Sequence, residues 1–172
     1  MAVDIFLKIG DATTGIPGDS TDNSHPGEIS IVAYYWGETL SGGRAAGGRG
    51  GGTGKVALQD FRFSAYVNSA SQGLFGACAT GKHYPTAVLS VRKAGTTTDF
   101  LRVTLTDVIV SSFQMGNNLL DAGTYSPLAG AGPTPIDQFS LNFAQINFQY
   151  AAQGVTGVAG KLGQGGVTVG GG

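Results

Sequence analysis

EISIVAYYW occupies residues 28–36. On an extended backbone Ile29, Ile31, Ala33 and Tyr35 share one face. Ser30, Val32, Tyr34 and Trp36 share the other. Both faces carry apolar side chains, so this strand is expected to be covered on both sides. A strand of a solvated sheet would instead alternate cleanly between apolar and polar. The stretch therefore predicts the interior of a sandwich or a small barrel.

The flanking sequence extends the same reading. Val3, Ile5, Leu7 and Ile9 alternate with Asp4, Phe6 and Lys8 as a first strand. Between residues 55 and 66 the pattern slips: Val56 and Leu58 share one parity, Phe61 and Phe63 the other. A period of two that slips by one suggests a β-bulge near Gln59-Asp60. Residues 88–93 and 100–110 read as a hairpin turning through Ala94-Gly95-Thr96-Thr97. In the last strand, 139–150, Phe139, Leu141 and Phe143 precede a second slip, and Ile146, Phe148 and Tyr150 follow it. Long strands that change phase fit a small barrel or a curved sandwich. One helix is expected over 71–80, stopped by Gly81. Gly73 and Gly76 weaken it by up to ~1 kcal/mol each against alanine, so it needs the sheet to persist.

Three segments read as lying outside the core: 11–27, rich in Asp, Thr, Ser, Gly and Pro; 116–137, rich in Gly and Pro; and 151–172, with nine glycines in 22 positions, read as a flexible tail. A fourth, SGGRAAGGRGGGTG at 41–54, raises the question of a phosphate-binding loop. The pattern G-x-x-x-x-G-K-[ST] ending at Gly54-Lys55 would need glycine at position 49 and a hydroxyl at 56. Those positions hold Arg49 and Val56, and a strand follows rather than a helix. The composition fits either a flexible surface loop or an extended arm. Fourteen residues extended at ~3.3 Å each reach ~45 Å, far enough to lie across a neighbouring subunit. Its glycines allow close backbone approach, and Arg44 and Arg49 offer partners for carboxylates.

Composition narrows the function classes. Only 12% of the 172 residues are charged and the net charge is −1, which gives no case for nucleic acid or an anionic membrane as partner. A low-charge, glycine-rich surface is poorly defended against self-association, and purposeful assembly is one answer. Cys78 is the single cysteine, so neither an internal disulfide nor a multi-cysteine zinc site is possible. His25 and His83 are the only histidines. His25 lies in the turn-like Asp22-Asn23-Ser24-His25. His83 lies between the helix and a strand, where a structural hydrogen bond is the simplest role. No nucleophile elbow occurs, so no catalytic residue, cofactor or metal is expected. No stretch approaches ~18 uncharged apolar residues, so no membrane insertion is expected. The first residues lack the basic start of a signal peptide, so synthesis in the cytoplasm and export without one are expected. On residues alone, a hydrolase using either histidine and a monomeric adhesin or carbohydrate binder stay open.

Six stretches in order resemble one family. They are Met1–Asp11, Glu28–Gly37, the glycine-rich loop with Gly54-Lys55-Val56 and Gln59-Asp60-Phe61, Ala77–Pro85, Val91–Gly95 and Leu141–Gln145. Together they resemble Hcp, the haemolysin-coregulated tube protein of bacterial type VI secretion. The resemblance covers most of 1–150. It implies a mainly β, two-sheet barrel-like fold with one flanking helix, shared with phage tail tubes. It also implies a barrel domain at 1–150 and a separate tail at 151–172. Rings of six subunits would stack into a secreted tube that carries or chaperones effectors in its lumen. The partners implied are other copies of the chain, spike, sheath and baseplate proteins, and effectors. Arg44, Arg49, Gly50, Gly51, Gly52, Lys55 and His83 would lie at subunit or ring contacts, and Tyr34 or Tyr35 would face the lumen. The alternative is a tail-tube protein of a phage-derived contractile injection particle.

Overall fold

The computed structural model describes residues 2–41, 55–116, 119–121, 124–126, 134–152 and 167–170. Its elements are β1 (Val3–Ile9), β2 (Ile29–Ser30), β3 (Ala33–Tyr35), β4 (Glu38–Ser41), β5 (Lys55–Leu58), β6 (Phe61–Tyr66), α1 (Ala70–Thr80), β7 (His83–Lys93), β8 (Asp99–Gly116), β9 (Leu119–Asp121), β10 (Thr124–Ser126), β11 (Ile136–Tyr150) and β12 (Val167–Gly170). The main sheet runs β2-β1-β7-β8-β11-β6-β3, antiparallel throughout. β6 pairs with β11 from Ile136 to Leu141, and β12 takes the same edge of β11 from Gln145 to Phe148. That last pairing draws part of the glycine-rich C-terminal stretch onto the sheet.

Residues 28–36 are not one strand. They supply β2 at one end of the sheet and β3 at the other. Ser30 to Ala33 is three residue steps, at most about 11 Å. The two ends of a seven-strand sheet therefore lie side by side there, which requires the sheet to curl round on itself. The residues between are bonded to both edges: Ile31 N–H donates to Ile5 O at 2.9 Å, and Val32 N–H to Ser64 O at 2.8 Å. The barrel-like expectation holds, and this stretch closes it.

The slip near Gln59-Asp60 is a change of sheet rather than a bulge. β4 and β5 form their own hairpin, with Glu38 opposite Leu58 and Ser41 opposite Lys55. The chain then re-enters the main sheet as β6. A true bulge lies elsewhere. Ser140 faces Ser112 and Leu141 faces Val110, leaving Ser111 as the extra residue. Ser111 Oγ donates to Asp60 Oδ2 at 2.6 Å, and Asn142 Nδ2 donates to Asp60 Oδ1 at 2.8 Å, which ties the bulge to the change of sheet.

The late slip in β11 belongs to a wider feature. In β7, β8 and β11 the buried alternation is interrupted by two consecutive exposed residues: Pro85-Thr86, Thr106-Asp107 and Ala144-Gln145. These lie in line across the sheet, since Thr86 and Gln145 both face Thr106. Pairing is unshifted through this row, so the three strands change phase together as a crease. Asp107 sits in it with φ 52, the sole non-glycine positive φ among the described residues. Aspartate enters that region more readily than most L residues.

Core packing follows from the remaining alternation. Trp36, Phe61, Phe63 and Phe139 form a stacked aromatic series with centroids 6.1, 4.7 and 5.3 Å apart. Phe61 and Phe63 are buried while Arg62 between them is exposed. The helix starts where Asn68 Oδ1 accepts from Ala70 N–H at 2.8 Å. It ends at Gly81, in the left-handed region with φ 63. Its Leu74 and Ala77 are buried against the sheet. Ser71 Oγ donates to Asp137 Oδ2, and Asp137 is fully buried. Burial pushes this carboxyl above the ordinary range, with the Ser71 hydroxyl opposing the shift.

The connection 11–27 departs from expectation. Ile16 and His25 are both buried. Gly73 is needed here rather than merely tolerated, because a Cβ on it would lie 2.9 Å from Ile16 Cγ2.

Candidate functional site

Two sequence-predicted positions stand on β3. Tyr34 lines an apolar groove of ≈ 210 Å3 with Trp36, Phe61, Leu101, Val103, Ile146 and Phe148. Its ring centroid is 6.0 Å from that of Phe61, on the core side of the strand. Tyr35 is 63% exposed, and alternation turns it to the opposite face. The two tyrosines are thus divided by the strand: Tyr34 lines the apolar groove and Tyr35 turns to the other face.

His83 opens β7 at the surface, where its Nδ1 is 2.8 Å from Asp107 Oδ1. Its imidazole is thus paired with the positive-φ residue of the crease. Both side chains are more than half exposed, so the pair contributes little to stability. Its value is as a polar surface group set on rigid strands. Lys55 lies at the start of β5 opposite Ser41. Arg44, Arg49, Gly50, Gly51 and Gly52, with the rest of the proposed arm, lie outside the described residues.

The largest polar constellation among the described residues escaped the sequence reading. Around Phe6, on β1, sit His25, Glu28, Asp99, Arg102, Arg92, Asp4 and Asp22. The His25 ring stacks on Phe6, with centroids 4.5 Å apart and planes 12° from parallel. The Arg92 guanidinium lies 5.0 Å from the same ring centroid. Arg92 bonds both oxygens of Asp22 and reaches Asp4 Oδ2 at 3.3 Å. The Arg92 hydrogen bond holds the Asp22 carboxyl down at about 2, helped by backbone N–H groups of Ser24 and His25. Around the imidazole, Nδ1 is 3.1 Å from Glu28 Oε2 and Nε2 is 3.0 Å from Asp99 Oδ1. Arg102 Nη2 donates to Asp99 Oδ2 at 2.9 Å. The two carboxylates lie at opposite ring nitrogens, so these groups do not converge on one point, as metal ligands would. Their partners lie up to 74 positions apart in the chain, which no local pattern reveals.

This arrangement is one of surfaces, edges and structural ion pairs, and it matches known proteins of one kind. The family model described as "Type VI secretion system effector, Hcp" matches residues 6–150. Protein hcp1 of Pseudomonas aeruginosa is 40% identical over 159 residues, covering 91% of this chain and 88% of its own. Among solved structures, Hcp1 from Salmonella typhimurium superposes with a TM-score of 0.68 at 32% identity, covering 98% of this chain and 93% of that one. A structure described as a type six secretion system protein gives 0.77 at 26% identity, covering 94% and 91%. Family match, near-complete coverage and shared curled sheet agree, and the chain belongs to the Hcp family of the type VI secretion system.

Proposed function

We propose that this chain is a structural subunit of the type VI secretion tube. It closes into rings of six, the rings stack, and the tube leaves the cell carrying or chaperoning effectors in its lumen. The observation that carries this reading is the family match across 6–150 combined with a fold that leaves sheet edges and apolar side chains uncovered. β3 is an end strand whose three residues are all exposed, and Phe148 and Tyr150 at the end of β11 are about half exposed. A cyclic assembly uses such edges by pairing one surface with a different one on the next copy, which removes their aggregation hazard.

In this reading the segment 41–54 is the assembly arm, with Arg44, Arg49, Gly50, Gly51, Gly52 and Lys55 at contacts between copies. His83 lies at a further contact, and one of Tyr34 and Tyr35 faces the lumen. Residues 1–150 form the ring-building domain and 151–172 an appended tail. Spike, sheath and baseplate proteins are its partners in the machine, and export needs no signal peptide.

The solution mass of the purified protein, by light scattering with negative-stain imaging of the same peak, tests the reading. A mass near six times 17.4 kDa with open rings is expected. A stable monomer at high concentration would overturn self-driven ring closure.

A further inference from the structure

His25 faces a carboxylate at each ring nitrogen, and it is buried. Two hydrogen bonds from one imidazole to two carboxylates need two protons, whereas a neutral imidazole carries one. Asp99 already accepts from Arg102 through its other oxygen, so the Nε2 side takes the first proton. The contact between Nδ1 and Glu28 then needs a second, on the ring or on the acid. Without it, a nitrogen lone pair and a carboxylate oxygen would face each other at 3.1 Å in a buried setting. Burial, the largest influence on Glu28, favours its protonated form, with His25 opposing.

These groups are placed where they control the closure of the sheet. Glu28 directly precedes β2, the strand that ends the sheet on β1. The connection doubles back here: Gly18 N–H donates to Gly27 O at 2.8 Å, Gly27 N–H to Ser20 O at 2.7 Å and Ser20 N–H to Glu28 O at 3.1 Å. Gly18 packs so closely that a Cβ would meet Glu28 O at 2.3 Å. The whole unit is fixed to the sheet at two points: His25 to Asp99 at the start of β8, and Asp22 to Arg92 on β7. The second tie involves no histidine.

We propose that Glu28, His25 and Asp99 form a proton-dependent clasp. With one shared proton it holds residues 18–28 against β1 and β8. On losing that proton it loosens them, uncovering the Phe6 ring on β1. The charged groups facing it are Lys8 near Glu28, Arg102 from β8 on Asp99, and, across Phe6, Arg92 with Asp4 and Asp22. This is a regulatory device in the subunit itself and does not depend on the tube reading.

Hydrogen-exchange mass spectrometry on peptides covering 18–28, normalised for intrinsic exchange at each pH, tests it. In the wild type, protection of this segment falls with rising pH, while β8 and β11 stay constant. The limiting slope for one proton is roughly tenfold per pH unit. Glu28→Gln supplies its own N–H to Nδ1 and keeps the segment protected without the extra proton, so its profile is flat. His25→Ala removes the pH dependence with the segment exposed throughout. Wild-type protection that does not change with pH would overturn the proposal. So would a Glu28→Gln profile that falls like the wild type.

Discussion

Gly73→Ala is an informative perturbation because two known effects oppose each other there. In an exposed helix, alanine would gain up to ~1 kcal/mol over glycine. Here the new Cβ would sit 2.9 Å from Ile16 Cγ2, closer than carbon atoms pack. Ile16 is buried and β-branched, so its methyl has few rotamers into which to retreat. Overpacking of this kind costs typically ~1–3 kcal/mol, so strain outweighs propensity and the expected net change is about 1 kcal/mol destabilising. Repeating the substitution in an Ile16→Ala background should reverse its sign. With the opposing methyl gone, the helix gain of up to ~1 kcal/mol remains, giving a coupling of about 2 kcal/mol. Urea unfolding at one fixed protein concentration reads both cycles, because assembly makes stability depend on concentration. With a slope near ~2 kcal/mol per molar, the single variant shifts the midpoint down by about 0.5 M. A Gly73→Ala protein more stable than the wild type, or no sign reversal with Ile16→Ala, would refute the claimed contact between the connection and the helix.

Two further outcomes concern pH. Asp22 is held down at about 2, first by Arg92, so its contribution is present above the ordinary aspartate range and is lost as pH falls through about 2. Asp22→Asn should therefore flatten the acid limb of a melting-temperature profile, and an unchanged limb would show that this pairing adds nothing. Asp137 is shifted upward by burial, so stability declines as pH rises from the unfolded aspartate value through its folded one. Asp137→Asn should melt higher than the wild type at neutral pH, with the gap closing in acid. A gap that widens in acid would assign the carboxylate a stabilising role.

Much of the sheet was legible because periodicity and turn chemistry are local. The strand at Val3–Ile9, the Gly81 stop and the hairpin turn at Gly95 all stand where they were expected, although Phe6 is buried beside Leu7 and Val3 is exposed. Periodicity does not name a strand's partner, however. Glu28–Trp36 reads as one strand although its halves pair at opposite ends of the sheet, and the break at Gln59-Asp60 reads as a bulge although the chain changes sheets. The connection 11–27 reads as solvated turn because its polar residues are the ones that build turns. Burial of His25 depends on Asp99 and Phe6, remote in sequence. Family resemblance pointed to the arm at 41–54 and to the two tyrosines. Residues alone gave the arm's reach but no partner for it, and the orientation of Tyr34 against Tyr35 required the β3–β6 pairing.

The crease through Pro85-Thr86, Thr106-Asp107 and Ala144-Gln145 bears on how this chain tolerates changes in length. Each of three neighbouring strands carries the same one-residue change of phase, marked by two consecutive exposed residues, on the same row. Deleting one residue from one strand would leave half of it facing inward with its outward side chains, while its neighbours kept time. Such a deletion leaves the strand out of phase beyond the crease unless the adjacent strands lose a residue on the same row or a bulge absorbs the difference, as Ser111 does between β8 and β11. Around the crease the three strands therefore constrain one another's length, and length variation among functional variants should fall at bulges or in the connections outside them.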